Sequence, residues 1–242
     1  MPLGKSKNEE LGISFQRRFP KGLNATVSYT KLYHYAADYF PNTFDASPAW
    51  EPSNLGRPHR LTSMAIAQLP FGKGRRWLQK GPASWVAGGF QITGIQEYQP
   101  GALVTWTSTT YYTGNNLSDV CSSGPHVLGQ WFNTANFVTN PTLVANTGQA
   151  RVFPNIINGY GGCRGDSMKR VNLSLQREFR IRERANLIFR GDAYNIGNRS
   201  QFGLPTTNPT STDFGKITST IAGGGGGGTN NRSLAVQARL TF

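Results

Sequence analysis

The sequence predicts an all-β chain: an antiparallel transmembrane β-barrel segment of about seven strands with long outer loops. Three observations predict it. Apolar and polar residues alternate with period two in segment after segment. The connections between those segments alternate between short and long, the parity of a barrel with short periplasmic turns and long outer loops. Charged residues make up only 15% of the chain, while aromatics reach 12% and glycines number 29; soluble domains carry roughly 25% charge. No apolar run approaches the roughly 20 residues of a membrane helix. That limit leaves barrels open, because their strands turn only every second residue to lipid.

In chain order, residues 1–10 lack the apolar stretch of a signal peptide and read as an unstructured fragment start. The partial barrel spans residues 11–242. Residues 11–19 set Leu11, Ile13, Phe15 and Phe19 on one face. After the tight turn Pro20-Lys21-Gly22, residues 23–33 alternate Leu23, Ala25, Val27, Tyr29 and Tyr33 with Asn24, Thr26, Ser28 and Thr30. A long loop at 37–59 leads to a weaker strand at 60–71. A basic turn at 72–84 leads to another at 86–98. A very long loop follows at 99–169. Residues 170–181 then set Val171, Leu173, Leu175, Phe179 and Ile181 against Asn172, Ser174, Gln176, Glu178 and Arg180. Arg177 interrupts the apolar face near its end, where a long side chain can snorkel. The turn at 182–184 precedes a weaker strand at 185–196. A third long loop, 197–230, contains the glycine run 223–228, a flexible tether. The last strand places Leu234, Val236, Ala238, Leu240 and Phe242 opposite Ser233, Ala235, Gln237, Arg239 and Thr241. Each segment is near the 9–11 residues that cross a bilayer at a tilt.

With the chain's end on the periplasmic side, Phe19, Phe71, Phe179 and Phe242 form one aromatic girdle. Tyr33, Tyr98 and Tyr194 form the other, with Tyr194 in the polar register. Bacterial single-chain barrels have an even strand count, and an open edge in lipid costs several kcal/mol per unpaired backbone group. The expectation is therefore that further strands outside this chain complete the wall.

Several stretches carry a family resemblance. Arg57-Pro-His-Arg60 leads to Leu69-Pro-Phe-Gly-Lys-Gly-Arg-Arg-Trp-Leu78. Phe90-Gln-Ile-Thr-Gly-Ile95 and Tyr98-Gln-Pro-Gly101 follow, then Trp131-Phe-Asn133. Phe189-Arg-Gly-Asp-Ala-Tyr-Asn-Ile-Gly-Asn198 precedes Gln201-Phe-Gly-Leu204, and Leu240-Thr-Phe242 ends the chain. In this order they resemble the C-terminal barrel region of TonB-dependent outer-membrane receptors, of the type with an N-terminal carboxypeptidase-regulatory-like domain. The resemblance implies a plugged barrel of about 22 strands in the outer membrane of a Gram-negative bacterium. It also implies TonB coupling through an upstream region, and import of a bulky solute.

On this reading Asn172, Ser174, Gln176, Glu178, Gln237 and Arg239 line the lumen. The terminal set Leu234, Val236, Ala238, Leu240 and Phe242 reads as the signal for the outer-membrane assembly machinery, against an ordinary final strand. Trp106, Tyr111, Tyr112 and Trp131 are candidate solute contacts that could stack on a sugar or another planar group; packing of the loop's own core is the competing reading. Cys121 and Cys163 form either a disulfide or two free thiols. The net charge of +13 gathers in three turns: Arg17, Arg18 and Lys21; Lys73, Arg75, Arg76 and Lys80; Arg180, Arg182 and Arg184. That placement points to outer-membrane lipid rather than nucleic acid. His34, His59 and His126 show no catalytic or metal spacing, so neither enzyme, cofactor nor metal is expected. Arg164-Gly165-Asp166 matches an adhesion tripeptide too short to be specific. The alternatives to transport are a barrel-anchored surface or adhesion protein and a soluble secreted carbohydrate-binding β-sandwich.

Overall fold

The computed structural model describes residues 4–20, 22–40, 45–106, 110–114, 118–139, 159–182, 185–221 and 231–242. Lys21, Arg184, the side chains of Arg180 and Arg182, and the glycine run 223–228 lie outside the described residues. Seven long strands correspond to the seven alternating segments of the sequence: β1 (Lys5–Phe19), β2 (Leu23–Tyr39), β4 (His59–Gln68), β5 (Phe90–Gln99), β8 (Met168–Arg182), β9 (Ala185–Tyr194) and β10 (Ser233–Thr241). Each hydrogen-bonds to the next, antiparallel, in the order β1-β2-β4-β5-β8-β9-β10. The short strand β3 (Ala49–Pro52) pairs with the outer end of β2. The remaining elements belong to the connections: helix α1 (Gly81–Ala87), strand β6 (Leu103–Thr105), helix α2 (Ser118–Ser122) and strand β7 (Gly159–Arg164).

Paired residues in an antiparallel ladder share a face, so the register tests the two-faced reading across the whole sheet. The row Phe19–Leu23–Ala67–Ile92–Leu175–Gly191–Val236 runs apolar through all seven strands. The row Thr26–Met64–Ile95–Asn172 and its neighbours fall on the other face, with Ser14, Ser28, Thr62, Glu97, Gln176 and Arg190. The apolar face is one surface, interrupted by Arg17, Ser63, Gln96 and Arg177 and, towards the outer end, by Lys31, His59 and Lys169. Rows climb relative to the turns: the row of Phe19, at the end of β1, meets β8 at Leu175 rather than at its terminal Arg182. This stagger is what tilted barrel strands produce.

Several boundaries depart from the sequence reading: the strand expected over 60–71 ends at Gln68, the one over 185–196 ends at Tyr194, and β3 lies within the loop expected over 37–59. Residues 5–10 are not unstructured; they extend β1 outward, from Lys5 opposite Ala37 to Glu10 opposite Leu32. Lys7 and Glu9 sit on one face as an ion pair of 2.9 Å. This stretch is polar on both faces, so periodicity gives no signal there; the partner strand supplies its backbone hydrogen bonds. Residues 37–39 belong to β2 rather than to a loop, because β1 pairs with Ala37 and β3 with Tyr39. Residues 86–89 are not strand. Pro82, in the first turn, suits a helix start, and Gly88-Gly89 ends α1 before Phe90 opens β5. Gly72 (φ 102°) lies so close to Gly88 that a Cβ on it would collide with the Gly88 backbone, and a Cβ on Gly88 would collide with the Ser84 carbonyl. The turn thus folds back on itself only with glycine at both positions.

The buried core lies outside the sheet. Val104, Trp106, Tyr112, Val120, Cys121, Phe132, Phe137 and Cys163 form one cluster in the connection between β5 and β8. Cys121, on α2, and Cys163, on β7, are joined by a disulfide across 42 residues. The connection between β9 and β10 docks onto this core. Phe214 packs edge-on against Phe132 (5.4 Å) and Phe137 (5.2 Å). The Trp131 amide donates to the Gly215 carbonyl (2.7 Å) and the Ile217 amide to the Leu128 carbonyl (2.8 Å). Two of the long loops are therefore one packed cap.

Candidate functional site

The polar sheet face brings the six expected lining residues into common rows. Gln176 pairs with Arg190, and Arg190 with Gln237; Glu178 pairs with Ile188, and Ile188 with Arg239. Ser174 faces Asp192, and the Asn172 carboxamide oxygen accepts the Asn195 amide (2.9 Å). Glu178 and Arg239 stand two strands apart, about 10 Å at ordinary strand spacing. Side-chain contacts tie the face laterally. Ser14 and Ser28 hydroxyls meet at 3.0 Å, the Gln176 amide donates to Gln91 at 3.4 Å, and Arg60 pairs with Glu97 at 2.8 Å. Arg190 pairs with Asp192 (2.8 Å), whose side chain is almost fully buried beneath it.

Sequence reading missed Arg60, Gln91, Glu97, Arg190 and Asp192 as members of this face. They sit in the three weaker segments, where apolar intruders such as Met64, Ile66, Ile95 and Ile188 blur the alternation. Carrying the parity over from the strong strands would have found them. The face is polar and mixed in charge, so it suits water and polar solutes rather than an apolar ligand.

The expected solute contacts in the outer cap separate into two kinds. Trp106 (2% exposed) and Tyr112 (5%) are core residues. Trp106 packs against Phe132 (5.9 Å) and Phe137 (6.5 Å), and Tyr112 against Phe137 (4.9 Å). A solute cannot stack on either, and the expectation for these two gives way to core packing. Trp131 and Tyr111 remain half-buried. Trp131 Nε1 donates to the Arg164 carbonyl (2.8 Å), and its ring meets His126 edge-on at 5.3 Å.

Arg164-Gly165-Asp166 is held inward. Burial lowers the Arg164 guanidinium from its ordinary pKa, and the like charge of Arg57 adds to the effect. Asp166 pairs with Arg199 at 2.7 Å, its own side chain 9% exposed. At Gly101 a Cβ would collide with the Gly165 carbonyl, so this corner is a close backbone packing point. The histidines do not gather into one site: the Tyr29 hydroxyl and His59 Nδ1 meet at 2.7 Å, at the outer end of β4, while His126 packs in the cap.

The terminal set Leu234, Val236, Ala238 and Leu240 lies on the apolar face opposite Ala193, Gly191, Phe189 and Leu187. Val236 is 83% exposed and Phe242 90% exposed. Such a surface is unstable in water and at home in lipid. Among the described residues the seven long strands lie in one sheet, and the only other sheet is the two-stranded β6-β7 pair of the connections, too small to be the second layer of a soluble sandwich.

Comparison with known proteins agrees with this geometry. Residues 1–234 match the family described as Outer membrane beta barrel domain. No curated protein and no solved structure matches the chain. An apolar sheet face, a polar face, sorted connections and a family match over nearly the whole chain lead to one conclusion: this chain belongs to the outer membrane beta barrel domain family, and its protein is integral to the outer membrane.

Proposed function

We propose that the chain is the C-terminal barrel portion of a TonB-dependent outer-membrane receptor that imports a bulky solute. The observation that carries this reading is the polar face, continuous over seven strands whose two outer members leave each other unpaired. Small barrels of about eight strands close on themselves and fill with side chains. A wall that needs more strands encloses a wide, wet or plugged lumen. In that setting Asn172, Ser174, Gln176, Glu178, Gln237 and Arg239 face the passing solute or a plug. The outer cap restricts entry, with Trp131 and Tyr111 as its remaining candidate contacts. The exposed strand ending in Phe242 is the segment offered to the assembly machinery.

The reading frame upstream of Met1 tests the proposal. A plug domain and a TonB-contacting segment in that frame, with the encoded receptor co-purifying with the TonB C-terminal domain, is the expected result. A frame without a plug would sink transport. It would favour a barrel-anchored surface protein, a reading supported by the disulfide-closed cap with a core of its own.

A further inference from the structure

The connection between β4 and β5, residues 69–89, is a structure in its own right. It carries Lys73, Arg75, Arg76 and Lys80 and no carboxylate. Its apolar side chains point outward: Trp85 is 70% exposed, Val86 59%, Trp77 49% and Leu78 47%. Leu78 adopts φ 53°, a left-handed conformation that costs a branched apolar residue energy. A connection in plain water gains nothing by displaying four such groups.

What fastens this segment is Arg177, the cation that interrupts the apolar face of β8. Its guanidinium donates to the backbone carbonyls of Trp85 and Val86, at the end of α1. It also lies over the rings of Phe179 (4.1 Å), Phe90 (5.2 Å) and Trp85 (5.6 Å). The residue is 9% exposed and pairs with no carboxylate among the described residues. Because Arg177 shares its face with Leu175 and Phe179, α1 is clamped to the lipid side of the wall, not to the lumen side. Beside Trp85 an open, mainly apolar groove of about 600 Å³ runs along Phe179, Ile181, Leu187 and Phe189, with Arg177 and Glu178 at its margin.

We propose that residues 71–89 form an interfacial foot that binds anionic phospholipid of the periplasmic leaflet. Trp77, Leu78, Trp85 and Val86 enter the leaflet. An acyl chain lies in the groove beside Trp85. Lys73, Arg76 and Lys80, all exposed, hold headgroup phosphates, with Arg76 also over the Trp77 ring at 5.3 Å. Arg75 turns away to the Gln68 side chain and is not part of the phosphate set. The proposal rests on the barrel and on the periplasmic placement of this connection, and not on transport.

The test uses the full-length protein extracted from the outer membrane. Native mass spectrometry compares retention of phosphatidylglycerol and phosphatidylcholine of equal chain length, with lipid A as a third probe. Phosphatidylglycerol should be retained preferentially, by about fivefold for each participating charge. The variant K73Q/R76Q/K80Q should lose that preference, and Lys216→Gln in the outer cap should keep it. Arg177→Met preserves an apolar wall while freeing α1. It should weaken the preference and speed tryptic cleavage after Lys80, with the heat-modifiable band of the folded barrel unchanged. Equal retention of the two phospholipids by the unmodified protein would overturn the proposal. So would a preference that survives the triple variant, or a stronger, triple-variant-sensitive retention of lipid A, which would put the foot in the outer leaflet.

Discussion

Val236 and Gln237 are consecutive residues of β10 that face different solvents. Val236 stands in the apolar row with Gly191 and Leu175, Gln237 in the polar row with Arg190 and Gln176. Val236→Arg in the complete barrel should therefore cost about 2–4 kcal/mol at mid-depth, and Gln237→Arg should cost little. Equilibrium unfolding in lipid vesicles measures both, and equal costs would count against the assignment of faces. At this scale the strong strands were legible because one residue in two carries the signal. Arg177 was legible only as an exception to the pattern; the carbonyls of α1 that receive it are 91 and 92 residues away. Trp106 is the reverse case. Its place in the long loop leaves solute stacking and core packing both open, and its burial makes it core. Trp106→Ala should destabilise the outer cap by about 3–5 kcal/mol, as for other buried large aromatics. The readout is faster proteolysis of the cap with the strands still protected.

The elements that periodicity describes poorly are the ones in the connections. β3, β6, β7, α1 and α2 are each seven residues or shorter, too short to show two turns of a helix or several alternations of a strand. Their conformation is set by what they pack on. The cap is the main example. Its cysteines were visible, but the choice between a disulfide and free thiols depended on α2 presenting Cys121 to β7, a tertiary fact. Closing 42 residues restricts the unfolded cap by about 4 kcal/mol in the chain-entropy treatment. Replacing both cysteines by serine should lower the cap's resistance to thermolysin, while the barrel keeps its heat-modifiable migration. Loss of the barrel band as well would show that cap and wall fold as one unit. Phe214→Ala should have a narrower effect. It removes the ring joining two connections, so the one between β9 and β10 should become protease-sensitive first.

For the whole molecule, the physics of the edges decides what a chain with these strands can do alone. β1 and β10 each pair on one side only among the described residues. On its outer side each presents every second backbone N–H and C=O to whatever lies beyond. In lipid those groups have no water to turn to, and each costs several kcal/mol; in water the same edges template pairing with another copy. The apolar face compounds the problem, since Leu11, Ile13, Phe15, Leu234 and Val236 are all more than half exposed. Residues 4–242, refolded alone in detergent micelles, should therefore give polydisperse β-rich oligomers, without the heat-modifiable band of a closed barrel. The same segment within the complete barrel should give that band. Light scattering and unheated gel migration distinguish the two states. A monodisperse, heat-modifiable monomer from residues 4–242 would mean that β1 and β10 find each other. The lumen would then be too narrow for a bulky solute, and the transport reading would fall with the wide barrel it requires.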